Sequence, residues 1–429
     1  MPVPSTSVKW MHSAMQGAPV LDNNWGDLTA LLRACAVNGF NVKPIQAITC
    51  NGTTATVQCS GHGYLEHQVV KIEGADPAEY NGEHRIVSVV DTNTVTITLA
   101  AALAPATQAE GKTLQIKAAP LGFESLYDDA GQKLVLRSTN AQSPRNVLRV
   151  DNSCPTGYTT TYAKFGRVTM AQGMSDLDTF VGARAPYDPL LPTKNEVPSG
   201  SGTSVYGGWY KWLYSRNSDT SNGAYTTAQT AGARSWVVIG DDRGFYLMTG
   251  MTAGYTYRQI FCFSDFDSLQ SPDTFATVLA AWDHYVIAST SNQAFVRVPL
   301  IRGGSTDGVV LMRDHTGGGE NINASPLVLD VTGTSVFDSG AATSTVPYPN
   351  GPGNSLLLHP VLLQQSNGHI RGKLRGFLSV LHAHTLGDLA TVNNVPGLPG
   401  RRVLLVNGIG KSGAQASVAF DITGPWGTA

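Results

Sequence analysis

Arg85-Ile86-Val87-Ser88-Val89-Val90-Asp91-Thr92-Asn93-Thr94-Val95-Thr96-Ile97-Thr98-Leu99 holds two runs rich in β-branched residues on either side of Thr92-Asn93, a tight-turn signal. Apolar and polar side chains alternate along both runs, the pattern of an antiparallel sheet with one buried face. Upstream, Ala55-Thr56-Val57 and Val69-Val70-Lys71-Ile72 add short strands at similar spacing. Residues 47–118 therefore read as a small, sandwich-like β module with Val57, Ile72, Val87 or Val89, Val95 and Ile97 turned inward. Some seventy residues is near the lower limit for independent stability, so the module is expected to lean on its neighbours.

The same texture continues on both sides. Only 14% of the 429 residues are charged, against 46 glycines and 23 prolines, and 42% are hydrophobic: a mainly β protein with many turns and enough apolar material for real cores. Residues 119–429 read as one large β-rich domain, possibly divisible, with minor helices. Its strand candidates are 133–137, 146–150, 236–239, 245–248, 295–300, 309–313, 327–331, 368–377 and 402–406. Gly240-Asp241-Asp242-Arg243-Gly244 reads as a hairpin tip, and Ser271-Pro272 as the start of a helix carrying Phe275, Val278, Leu279 and Trp282. The long polar segments 186–204, 215–234 and 338–355 suit surfaces that meet partners. Residues 1–46 read as an N-terminal arm whose helix, 22–40, carries Trp25, Leu28, Leu31, Leu32 and Cys35 at three- and four-residue steps, with Asp22 or Asn23 as cap and Asn38-Gly39 as stop. Such a short helix must dock on its own chain or on a neighbour.

The arm carries the most specific wording. Val8-Lys9-Trp10-Met11-His12-Ser13-Ala14-Met15-Gln16-Gly17-Ala18-Pro19-Val20-Leu21, followed by the helix and Asn38-Gly39-Phe40, resembles the start of a group of structural proteins of tailed bacteriophages. The resemblance continues through 235–241 with Phe245-Tyr246-Leu247 and to Asp421-Ile422-Thr423-Gly424-Pro425-Trp426. The succession His62-Gly63-Tyr64, 71–75, Tyr80-Asn81-Gly82 and 86–89 resembles a small β module of phage tail and fibre proteins. The resemblance implies a non-enzymatic virion component, assembled in the host cytoplasm, at the tail tip, baseplate or tail-fibre attachment region. Its expected partners are other virion proteins, further copies of itself and a host surface glycan. Two alternatives stand beside it: a receptor-binding or head-decoration protein, and a glycan-degrading tail enzyme.

A formal charge of −2 gives no footprint for nucleic acid. Five cysteines without C-x-x-C indicate neither a disulfide framework nor a zinc site, and no apolar run suits membrane insertion. No cofactor, metal or catalytic residue is assigned: Asn407-Gly408-Ile409-Gly410-Lys411-Ser412 lacks the first glycine of a phosphate-binding loop, and His382 and His384 lack further ligands. The acid pairs 128/129, 176/178, 241/242 and 265/267 suit turns as well as a sugar cleft. For interfaces the sequence offers Trp10, Met11, Trp25, Leu28 and Leu32, and a basic stripe, Arg371, Lys373 and Arg375, expected to meet acids of a neighbouring chain. Tyr206, Trp209, Tyr210 and Trp212 are candidates for glycan or partner contact.

Overall fold

A computed structural model describes residues 3–198, 208–216, 227–283, 300, 308–327, 356, 358–380, 386–393, 395, 397–409 and 415–427. The fold is mainly β, with one short helix. Tyr206, His382, His384, nearly all of the 295–300 strand candidate and the segment 338–355 lie outside the described residues, as do parts of 327–331 and 407–412.

Seven of the nine strands between Phe40 and Ala118 form the sheet of the small module, in the order Phe40–Pro44, Gln115–Ala118, Val69–Glu73, Gly82–Asp91, Thr94–Thr98, Thr54–Gln58, Ala47–Asn51, and Ala75–Asp76 pairs separately with Thr107–Gln108. The ten-residue strand Gly82–Asp91 serves both halves: its start pairs with Val69–Glu73 and its end with Thr94–Thr98. The sheet so folds over one apolar cluster containing Val57, Ile72, Ile86, Val95 and Ile97. Val87 and Val89 are not inward: both are exposed and Ile86 is buried, because the pairing shifts register between Ile86 and Ser88. The first strand, Phe40–Pro44, belongs to the stretch read as arm.

A second sheet runs Phe123–Asp128, Lys133–Ser138, Val147–Asp151, Lys164–Met174, Tyr210–Ser215, Trp282–Asp283, with Phe180–Ala185 beside Lys164–Met174. A third has twelve strands, starting from Lys9–His12 at one edge and running through Trp236–Asp241, Gly244–Gly250 and Arg258–Ser268. Within it Arg258–Ser268 also pairs with Ile370–Val380, closing a ring of six strands with Thr277–Ala280, Val309–Met312, Asn321–Leu327 and Leu358–Gln365. One apolar core, rich in Trp212, Trp236, Phe245, Tyr246, Phe261 and Phe263, joins the second and third sheets.

The N-terminal segment is woven into this core. Lys9–His12 pairs with Trp236–Asp241, and Val8, Trp10, Met11, Leu28, Leu31 and Leu32 are buried in the shared cluster. The helix spans Asp27–Leu32 and continues as a wider π-helical turn, Arg33–Asn38, shorter than the 22–40 expected. Neither Asp22 nor Asn23 caps it. Asn152, just past the end of the strand Val147–Asp151, takes that place, its Oδ1 accepting from the Gly26 and Leu28 amides at 2.8 and 3.1 Å. Leu28 sits so close to Gly166 that a Cβ there would stand 2.6 Å from Leu28 Cδ2.

The helix read at 271–282 is absent. Thr277–Ala280 is a strand between Arg258–Ser268 and Val309–Met312, buried on both faces, where β-branched Thr277 and Val278 fit a pleated surface better than a helix. No helix among the described residues is long and apolar enough to cross a membrane.

Candidate functional site

The second sheet builds one polar cavity on the face turned away from the core. Along Val147–Asp151, Leu148 and Val150 point into the apolar cluster, so Arg149 and Asp151 share the opposite face. Pairing then sets Asp151 directly across from Arg167 on one side and Lys133 on the other, with Arg149 across from Thr169. The segment after Phe180–Ala185 crosses over this face and is fastened by Asn195, whose Nδ2 donates to Val168 O and Thr169 Oγ1 while its Oδ1 accepts from the Trp209 and Tyr210 amides. The result is a cavity of about 420 Å³ walled by Arg149, Asp151, Arg167, Asp178, Arg184 and Glu196.

Its carboxylates differ in use. Asp151 is fully engaged: Oδ2 meets Arg167 at 2.7 Å and Arg149 at 3.1 Å, and Oδ1 accepts from the Ser153 amide and hydroxyl. Burial pushes its carboxyl up, but the Arg167 and Arg149 guanidiniums outweigh that and hold it below the ordinary range. Asp178 is taken by Lys133 and Arg149. Glu196 stands apart. Its Oε1 lies 3.4 Å from Thr169 Oγ1, and its Oε2 is enclosed without a hydrogen-bond partner among the described residues, as is Arg167 Nε. Burial raises the Glu196 carboxyl, with Arg184 and Arg149 only partly opposing. Cys154, at the rim, is raised by burial, so it is no activated thiolate.

Glycoside cleavage needs two carboxyl groups free to act across a sugar. Among the described residues the Asp151 and Asp178 carboxylates of this cavity are held in ion pairs and Glu196 Oε2 is enclosed. The sequence carried a signal for it, unread: Arg149 and Asp151 are charged residues two apart within an otherwise apolar strand.

The residues singled out from sequence fall elsewhere. Trp10, Met11, Leu28 and Leu32 are in the chain's own core and Trp25 is half-buried, packing edge-on against Tyr158 and Phe165. These side chains are covered by their own chain, not held out to a neighbour. Tyr210 and Trp212 are likewise buried, Trp212 Nε1 donating to Ala280 O at 3.0 Å, so neither reaches a glycan. Trp209 is half-buried, with the Lys194 ammonium 3.8 Å from its ring centre.

The basic stripe meets acids, but those of its own chain. Arg371 holds Asp273 with two hydrogen bonds, at 2.7 and 2.8 Å, and Arg375 holds Asp241 with two, at 3.1 and 2.7 Å. Both arginines are only 2% exposed, beyond the reach of another subunit. Lys373, the partly exposed member, stands 3.6 Å from Asp267. The stripe is therefore not an open face: acids of the same chain stand against all three of its members. Asp241 lies in the expected hairpin, closed by Asp242-Arg243, and Asp265 pairs with Arg243 at 3.0 Å. Among the described residues, no three potential metal-ligating side chains come together.

No protein-family profile matches the sequence, and the comparison with curated proteins finds no match. Among solved structures, the chain is similar to the phage phi92 endosialidase at 11% identity, over 90% of this chain and 52% of that one, with a TM-score of 0.15. The chain thus spans about half the length of that protein, and a superposition at this score carries no argument about fold or activity.

Proposed function

We propose that this protein is a structural, non-enzymatic subunit of a tailed-phage virion, placed at the tail tip, baseplate or fibre attachment region and assembling with other virion proteins and with copies of itself. The observation that carries the reading is residues 8–21, whose wording resembles phage structural proteins and whose side chains join parts of the fold. Lys9 pairs with Glu83 of the small module at 2.9 Å, Trp10 Nε1 donates to His67 O, and Pro19 O accepts from Trp236 Nε1 at 2.9 Å. The motif is thus a clasp between the module and the large domain. The commitment of Asp151, Asp178, Asp241, Asp265 and Asp273 to internal ion pairs supports scaffolding over catalysis.

Mass spectrometry of gradient-purified particles, with copy-number estimation and labelling in negative stain, tests the reading. A fixed copy number at one location on the tail is expected. Absence from purified particles defeats the proposal. The Glu196 cavity favours one further role, recognition of a host surface glycan in place of the aromatic segment 206–214. Glu196→Gln should then reduce binding of the purified chain to host cells, and unchanged binding removes this second role.

A further inference from the structure

A second cavity, of about 460 Å³, opens where the arm, the small module and the last strands of the large domain meet. Ile86, Val87 and Ile422 give it an apolar floor, while Arg85, Arg401, Arg402 and His67 surround it. Among the described residues, no Asp or Glu lines it. Arg85 is the unusual member. It is 7% exposed, and its guanidinium donates to four backbone carbonyls: Ser5 and His67, both at 2.7 Å, Val8 at 3.0 Å and Thr423 at 3.3 Å. Among the described residues no carboxylate comes within ion-pair distance of it. Two acids stand beside the lining residues without reaching Arg85: Asp421 pairs with Arg401 at 3.1 Å, and Glu66 lies 2.9 Å from His67 and 3.9 Å from Arg402.

Carbonyl dipoles satisfy the N–H groups of Arg85 without cancelling its charge, and a desolvated charge without a counterion is costly. Burial pushes Arg85 down to about 10, with Asp421 opposing the fall and Arg402 adding to it, and His67 is lowered by burial and then by Arg402. Guanidinium forks match the geometry of oxyanions. We propose that this cavity is an anion-binding site that takes one oxyanionic group, a carboxylate or phosphoryl group, against Arg401 and Arg402 in the field of the buried Arg85. The apolar floor favours a carboxylate on a short hydrocarbon body over bare inorganic phosphate. This inference does not depend on the virion reading.

The test uses the full chain in acetate, butyrate, inorganic phosphate or chloride at matched ionic strength, read by thermal melting and calorimetry. A saturable rise in melting temperature of about 2 °C is expected in the oxyanions and not in chloride, largest for butyrate. Binding should weaken at least tenfold in Arg401→Gln/Arg402→Gln and persist in Lys112→Gln, an exposed control. Arg85 itself is left intact because its four carbonyl contacts hold the fold. Equal melting in all four salts, or an oxyanion response retained in the Arg401→Gln/Arg402→Gln variant, overturns the proposal.

Discussion

His12 shows how a single side chain fixes a protonation state. Its ring is buried against Trp10, and Nδ1 accepts the Ala14 amide at 3.2 Å, a bond that only an unprotonated Nδ1 can make. Burial, helped by the Arg258 charge, lowers its pKa to about 4 from 6.5. A histidine depressed in the fold contributes stability above its unfolded pKa and loses it as pH falls through the folded one. The chain should therefore weaken between about pH 6.5 and 4, by up to about 3 kcal/mol from this group. His12→Asn, which keeps an acceptor but cannot take up the proton, should flatten that slope; identical urea midpoints for both proteins from about pH 7 to 4.5 would count against the assignment. Arg375 gives the complementary case. Arg375→Met strands Asp241 in the interior and should cost about 3–5 kcal/mol, whereas adding Asp241→Leu should recover most of the loss. A double variant as weak as the single one would mean that the Arg375 contact to Trp426 O matters more than the ion pair.

Among the elements, the N-terminal segment takes the first of the two arrangements open to it, docking on its own chain instead of on a neighbour. An arm held out to another subunit could be removed, and a chain lacking residues 1–40 would stay soluble and merely fail to assemble. With the strand Lys9–His12 in the main sheet and Trp10, Met11, Leu28, Leu31 and Leu32 in the main core, the truncation should instead aggregate or melt well below the intact chain. Trp10→Ala alone should cost about 3–5 kcal/mol. A soluble truncation with a native near-ultraviolet spectrum would restore the arm. The strands themselves were legible because β-branched and apolar runs bounded by turn residues mark them locally: 133–137, 236–239 and 245–248 all lie within observed strands. What such local patterning cannot supply is the partner. Ser271-Pro272 carries a sound helix-start signal, yet Thr277–Ala280 is drawn into a strand by neighbours on both sides. Arg371 and Arg375 look unopposed in the sequence because Asp273 and Asp241 lie 98 and 134 residues away. The Glu196 cavity is likewise assembled from separate strands and a crossing loop, so Arg149 and Asp151 mark one wall of it in the sequence but not the others.

Across the whole molecule, the small module keeps its apolar cluster to itself: Val57, Ile72, Ile86, Val95 and Ile97 pack with residues lying between Ile45 and Ile116. Expressed alone, residues 39–119 should show a cooperative thermal transition in β-sheet circular dichroism. Its midpoint should fall below that of the intact chain, since Arg85 loses its contacts to Ser5, Val8 and Thr423. A featureless melt would mean that the module borrows its fold from the large domain.

The edge position of Lys9–His12 also has a consequence in time. Its partner, Trp236–Asp241, lies some 220 residues further along the chain. At roughly 5–20 residues per second, a ribosome needs on the order of 10–40 s to deliver it. Throughout that interval Trp10 and Met11 have no sheet to join. The nascent chain must carry an exposed apolar strand until more than half of it has been made, so its yield in the cell should depend on holdase chaperones more than its finished stability suggests.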